Sequence, residues 1–162
     1  NISIYKDHVW IASGGKRARV FHSSDKGKTW EVFNTPILQG KAMTGIYSID
    51  FFDEKIGIVF GGDWEHKDFN EGNKAITHDG GKTWNLLSNG KGPGYRSSVK
   101  FVPGSKGKGI VAVGSPGISY SNNQGKNWIE LSTDGFYAIE FVNDSVAFDS
   151  GQNKISKLVF KE

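Results

Sequence analysis

Apolar residues in this chain come in short Val, Ile, Phe and Tyr runs that alternate with Gly, Asn, Asp and Ser clusters, and nowhere hold a 3.6-residue stripe long enough for an amphipathic helix. Ile2-Ser3-Ile4-Tyr5, His8-Val9-Trp10-Ile11-Ala12, Arg19-Val20-Phe21-His22 and Trp30-Glu31-Val32-Phe33 form a first set. The order recurs over 45–51, 57–61, 74–77 and 84–87, then over 98–102, 109–114, 117–120 and 128–131, and last over 137–142, 145–148 and 155–160. Gly, Asn, Asp and Ser clusters divide the runs, so each reads as a strand closed by a turn. The expectation is an all-β chain with almost no helix, in units of approximately 2–34, 44–88, 95–132 and 136–160.

A repeated box sets the period. Ser23-Ser24-Asp25-Lys26-Gly27-Lys28-Thr29-Trp30 returns as Thr77-His78-Asp79-Gly80-Gly81-Lys82-Thr83-Trp84, and in looser form as Ser121-Asn122-Asn123-Gln124-Gly125-Lys126-Asn127-Trp128. The carboxylate of Asp25 or Asp79 suits turn amides, and Gly27, Gly81 and Gly125 suit a left-handed φ. Trp30, Trp84 and Trp128 each offer a large ring to bury between units, with an indole N–H that needs an acceptor. Ser23, Asp25, Gly27, Thr29, Trp30, Thr77, Asp79, Gly81, Thr83, Trp84, Ser121, Asn123, Gly125 and Trp128 are therefore read as structural. The third turn should be held less firmly, because Asn123 and Asn127 replace Asp and Thr.

Four strands in about 33 residues is the size of a β-propeller blade, so the fold class expected is a propeller of four-stranded antiparallel blades. The last unit lacks a box and an outermost strand, and the N-terminus already occupies an innermost strand. On that reading 1–162 is a partial propeller, the C-terminal part of a larger one, with the missing N-terminal blades on the same or another chain.

Composition narrows the chemistry. The chain has 162 residues, a length at which roughly two-thirds of the unfolded surface can be buried. Its net charge of +3 is spread over scattered lysines, with no aromatic and basic platform, so no nucleic-acid partner is expected. The lack of cysteine removes disulfides, thiol catalysis and zinc–thiolate sites. No apolar run reaches the ~20 residues of a membrane span. No signal-peptide pattern opens the chain at Asn1.

The boxes resemble the Asp-box, or BNR, repeat of sialidases, sortilin-type receptors and photosystem II assembly factor propellers. In blade length, and in the phrasing DGGKTW followed by a Gly-rich loop and GYRSS, nearly the whole chain is similar to bacterial photosystem II stability and assembly factor-like proteins. The resemblance implies a non-catalytic, commonly exported scaffold that binds a protein or other large partner, with arginines of one face contributing. The same boxes allow a carbohydrate-active enzyme of sialidase or glycoside hydrolase type, with a glycan partner.

If the box joins the third and fourth strands of a blade, the loops at the other end carry the function. They are 14–19, the long insertion 61–73, and 91–96. The binding candidates are Arg17, Arg19, Asp63, Trp64, Glu65, His66, Tyr95 and Arg96. The insertion could hold a cation or a sugar, but it lacks EF-hand spacing and its single His fixes no second metal ligand. Neither a metal nor a cofactor is expected. The only arginines are Arg17, Arg19 and Arg96. A sialidase needs three around a substrate carboxylate, with a Tyr/Glu pair and an Asp. Here Arg17 and Arg19 are two apart, the Arg-Ile-Pro motif is absent, and no catalytic residue is assigned. There is also no Gly-x-Ser-x-Gly elbow and no nucleotide loop leading into a helix.

Overall fold

The computed structural model describes residues 1–160. They form fifteen strands and no α-helix. The first sheet holds β1 (Ile2–Tyr5), β2 (His8–Ser13), β3 (Arg19–Ser23) and β4 (Glu31–Asn34), in that order. The second holds β5 (Thr44–Phe51), β6 (Gly57–Asp63), β7 (Lys74–Thr77) and β8 (Asn85–Leu86). The third holds β9 (Ser98–Phe101), β10 (Ile110–Gly114), β11 (Gly117–Ser121) and β12 (Ile129–Ser132). A three-stranded sheet closes the series, with β13 (Ala138–Phe141), β14 (Val146–Gly151) and β15 (Lys154–Val159). All pairs are antiparallel neighbours in sequence, so each sheet is an up-and-down blade. The fold is that of a β-propeller. No helix among the described residues is long and apolar enough to cross a membrane.

Side chains point alternately to the two faces of a strand, and the unbroken apolar runs of β6 and β10 make both faces apolar, so the core lies in the seams between blades. Trp10, Val20, Ile49, Phe51, Val59 and Trp84 fill the first seam, with Trp10 stacked on Phe51 at 3.6 Å. Ile58, Phe60, Val99 and Ile110 fill the second, and Val111, Val113, Ile118 and Ile139 the third.

The innermost strands add a polar stitch. Asn1 Oδ1 accepts from Ile49 N–H, Ser48 Oγ from Val99 N–H, and Ser98 Oγ from Ile139 N–H. Two residues further on, Ser3 Oγ accepts from Phe51 N–H and Asp50 Oδ2 from Phe101 N–H. At the third seam a Lys100–Glu140 ion pair at 2.9 Å takes that place. One blade thus satisfies strand-edge donors of the next. Comparable packing joins β1 to β5, β5 to β9 and β9 to β13, whereas none joins β13 to β1 among the described residues.

The boxes are turns between the third and fourth strands. Thr29 N–H donates to Asp25 Oδ1 at 2.8 Å and Thr29 Oγ1 to Oδ2 at 2.6 Å, and Thr83 and Asp79 repeat both bonds. Gly27, Gly81 and Gly125 have φ of 86°, 92° and 79°, and each carbonyl accepts the indole N–H of its box tryptophan. The third box keeps the amide bond from Asn127 to Asn123 but has no hydroxyl in position for the second. One expectation needs correcting. Trp84 is buried and Trp128 half-buried, but Trp30 is 41% exposed, because none of the blades among the described residues lies against its side of the first sheet.

Candidate functional site

The loops at the end away from the boxes are tied into one surface. Gly15 N–H donates to Thr44 O, Ala18 N–H to Gln39 Oε1, Trp64 N–H to Met43 O and Leu38 N–H to Gly72 O. The insertion 64–73 is also bound to the next linker, through Tyr95 N–H to Lys67 O, Gly90 N–H to Asn70 O, and Asn73 Nδ2 to the carbonyls of Pro93 and Gly94. Gly94 lies so close that a Cβ there would fall 2.0 Å from Lys67 O. A loop held from both sides is positioned before any ligand arrives.

Asp63, the last residue of β6, organises the start of the insertion. Its Oδ1 accepts from the amides of Glu65 and His66, and its Oδ2 lies 3.1 Å from His66 Nδ1. Burial alone would raise the pKa of this carboxyl, but the His66 ring and the two amides outweigh it and hold it below the usual range. Asp63 is buried and both oxygens are engaged, while His66 stands largely in solvent. Its role here is to shape the loop.

Beside that turn is a cavity of about 540 Å³ lined by Leu38, Gln39, Lys41, Thr44, Asp63, His66 and Phe69. Its size is in the usual range for a ligand pocket. Met43, Trp64 and Phe69 are exposed on the same loops, with Lys67 Nζ 4.6 Å from the centre of the Trp64 ring.

The predicted site residues divide into two groups. Asp63 and His66 line the cavity, and Trp64 and Glu65 are exposed on the insertion beside it. Arg17 is exposed on the loop whose Ala18 is held by Gln39, a cavity-wall residue. Arg19 is half-buried on β3, its guanidinium 5.4 Å from the Phe21 ring. Tyr95 and Arg96 are buried between blades, not displayed on the surface. Arg96 donates to Tyr95 O and Ser119 Oγ, with Nε left without a partner. It lines a second, smaller cavity of about 200 Å³ with Pro93, Trp128 and Glu130. Burial raises the pKa of the Tyr95 phenol to about 12, with Tyr47 beside it adding to the shift. Leu38, Gln39, Lys41 and Thr44 were not anticipated. The one hint was the pair Ile37-Leu38 in a linker with no strand pattern.

Among the described residues no group of three or more His, Cys, Asp or Glu side chains could hold a metal ion. No protein-family model and no curated protein sequence matches the chain. Solved structures do. YCF48 bound to a D1 peptide is similar at a TM-score of 0.67 and 20% identity, over 96% of this chain and 50% of that one. A GH74 enzyme of Niastella koreensis gives 0.71 and 17%, over 98% of this chain and 28% of that one. PorZ, a surface component of the type-IX secretion system of Porphyromonas gingivalis, gives 0.61 and 15%, over 97% and 24%. The chain spans half the length of that YCF48 chain and about a quarter of the other two. At these identities the likeness is one of fold.

Proposed function

We propose that this protein is a non-catalytic binding or assembly scaffold that recognises a protein partner through the end of the propeller opposite the boxes. The observation that carries this reading is the insertion 64–73, tied to both neighbouring linkers yet presenting Trp64 and Phe69 to solvent beside the 540 Å³ cavity. Exposed aromatics on a pre-organised surface, next to a pocket that can seat one anchor side chain, have the make-up of an interface hot spot. Lys41 adds positive charge in the cavity wall. The likeness to YCF48 bound to a peptide supports the class of partner, and the likeness to PorZ, a surface component, supports an exported location.

The test uses a displayed random-peptide library panned on the purified chain. Peptides with one bulky apolar anchor are expected, bound at least tenfold less tightly by Trp64→Ala and Phe69→Ala than by wild type. Trp30→Ala, which alters an exposed tryptophan at the other end, should bind as wild type does. Failure to enrich peptides, or equal binding by all variants, would overturn the reading. Export is checked separately by fractionating the source cells.

The likeness to a GH74 enzyme keeps a glycoside hydrolase as the second reading. The insertion supports it poorly, because an acid catalyst needs a raised carboxyl and Asp63 is held low. Hydrolysis of a fluorogenic glycoside panel, abolished by Glu65→Ala, would favour it over the scaffold.

A further inference from the structure

The seam between the second and third blades holds two buried cations and no counter-charge. Lys74 on β7 and Arg96 in the linker before β9 are 0% and 3% exposed, and neither forms a salt bridge with a carboxylate among the described residues. Neutral groups hold both. Lys74 Nζ donates to Asn73 Oδ1 at 2.8 Å and to Pro93 O at 3.3 Å, while Arg96 donates from Nη1 to Tyr95 O and from Nη2 to Ser119 Oγ, each at 2.8 Å. A guanidinium carries five N–H groups, so two acceptors leave it far from satisfied, and Nε donates to nothing. Burial lowers the pKa of both groups, and Arg96 lowers that of Lys74 further. Charge buried with incomplete hydrogen bonding and no partner is costly, and an anion would relieve it.

The cavity of about 200 Å³ lies against this guanidinium, with Pro93, Ser119, Trp128, Ile129 and Glu130 in its wall. Its shape is built by the linker. Gly92, at a φ of 76°, comes so close to the Trp128 ring that a Cβ there would fall 3.1 Å from Cδ1. Lys74, bonded to the carbonyl of Pro93, adds a second positive charge to the same seam. We infer that this cavity binds a single carboxylate carried on a short apolar stem. The guanidinium offers the charge and the planar N–H edge that a carboxylate matches, and Pro93, Trp128 and Ile129 offer the stem an apolar wall. The volume, equal to several waters, suits a group of that size. Glu130 sets the charge limit. It stands cross-strand from Ser119 and in the same cavity wall, so it opposes a dianion such as phosphate more than a monoanion. The site belongs to a seam and rests on neither the insertion nor the partner proposed for it.

The test is a titration of the isotope-labelled 162-residue chain with sodium propionate at constant ionic strength, followed by NMR at the arginine Nε–H and tryptophan indole N–H signals. With only three arginines, the Arg96 signal is the one that survives both Arg17→Lys and Arg19→Lys. Propionate should shift the Arg96 and Trp128 signals along a saturable curve, and more tightly than inorganic phosphate does. Glu130→Gln changes an exposed residue, so the fold is kept, and loss of the opposing charge should tighten propionate binding by about fivefold. A peptide, N-acetyl-Gly-Glu-Gly amide, separates two sources of the same group. Binding of propionate alone assigns the site to a free acid, and tighter binding of the peptide assigns it to a polypeptide carboxylate. No saturable shift with either probe, phosphate bound as tightly as propionate, or a Glu130→Gln variant that binds no better than wild type would each overturn the proposal.

Discussion

Trp30 and Trp84 close the same box with the same local bonds and differ in everything beyond it. Each indole donates to the glycine carbonyl three residues back at 2.9 Å, and each box aspartate holds its threonine by amide and hydroxyl. Yet Trp84 is 8% exposed, edge-on to Phe51 in the first seam, while Trp30 is 41% exposed. The box determines a turn and the direction of a ring, and a neighbouring blade determines whether that ring stabilises the fold. Local and seam energies are therefore separable in this chain, and substitutions in the first two blades can measure each.

The largest contrast is expected at the tryptophans themselves. Trp84→Ala empties a packed seam and should cost about 3–5 kcal/mol in urea unfolding. Trp30→Ala removes a partly solvated ring and should cost about 1 kcal/mol or less. Equal costs would mean that the box tryptophan acts through its turn and not through the seam.

The faces toward the following blade invert the contrast. In the row of Val20, Lys74 and Ile118, Lys74 is fully buried as a cation, whereas Ile155 in the last blade is apolar and exposed. Lys74 Nζ donates to Asn73 Oδ1 and Pro93 O, and burial, then nearby Arg96, lower its pKa to about 8. The unfolded chain binds this proton up to about pH 10.5, so the penalty is full below pH 8 and fades between 8 and 10.5. Lys74→Met should therefore stabilise by about 1–2 kcal/mol at pH 7, a gain that shrinks as pH rises through that window. A gain independent of pH would assign the effect to packing alone.

If the turns are local devices, Asp25→Ala and Asp79→Ala should lower the melting temperature equally, by about 2–4 °C each, although their tryptophans differ fivefold in exposure. A markedly larger drop for Asp79→Ala would show that the turn and the seam are coupled.

What could be read from the sequence follows the same division. Strands and boxes were legible because a short β-branched and aromatic run and a turn with fixed hydrogen-bond partners are properties of neighbouring residues. That the last sheet has three strands among the described residues was legible for that reason too. The cavity was not, because Leu38, Gln39 and Lys41 lie in a linker with no periodicity and meet Phe69 only through the seam. Arg96 was read as a surface group from its charge and its loop. It is buried because the linker turns inward at Tyr95 as it enters β9. Asp149 shows where pattern and residue part company. Alternation puts it at a core position equivalent to Val59 and Ala112, and its carboxyl is buried with neither oxygen paired and its pKa raised by burial to about 6.

The smallest effect is expected at the third box, where the local half of the comparison can be completed without touching a seam. Asn123→Asp together with Asn127→Thr would restore the hydroxyl-to-carboxylate bond that spans 2.6 Å in both other boxes, at a solvent-exposed turn. The gain should be about 1–2 °C in melting temperature at pH 7. It should also be acid-sensitive in a defined way. In the first box the Thr29 hydroxyl and amide, then Ser23, lower the Asp25 carboxyl to about 2. A carboxylate with a depressed folded pKa contributes fully above its unfolded value near 4 and loses that contribution as pH falls through the folded one. The graft should raise the melting temperature at pH 7 and not at pH 2. A gain of equal size at both would mean that threonine packing, not the charged acceptor, is what the third box lacks.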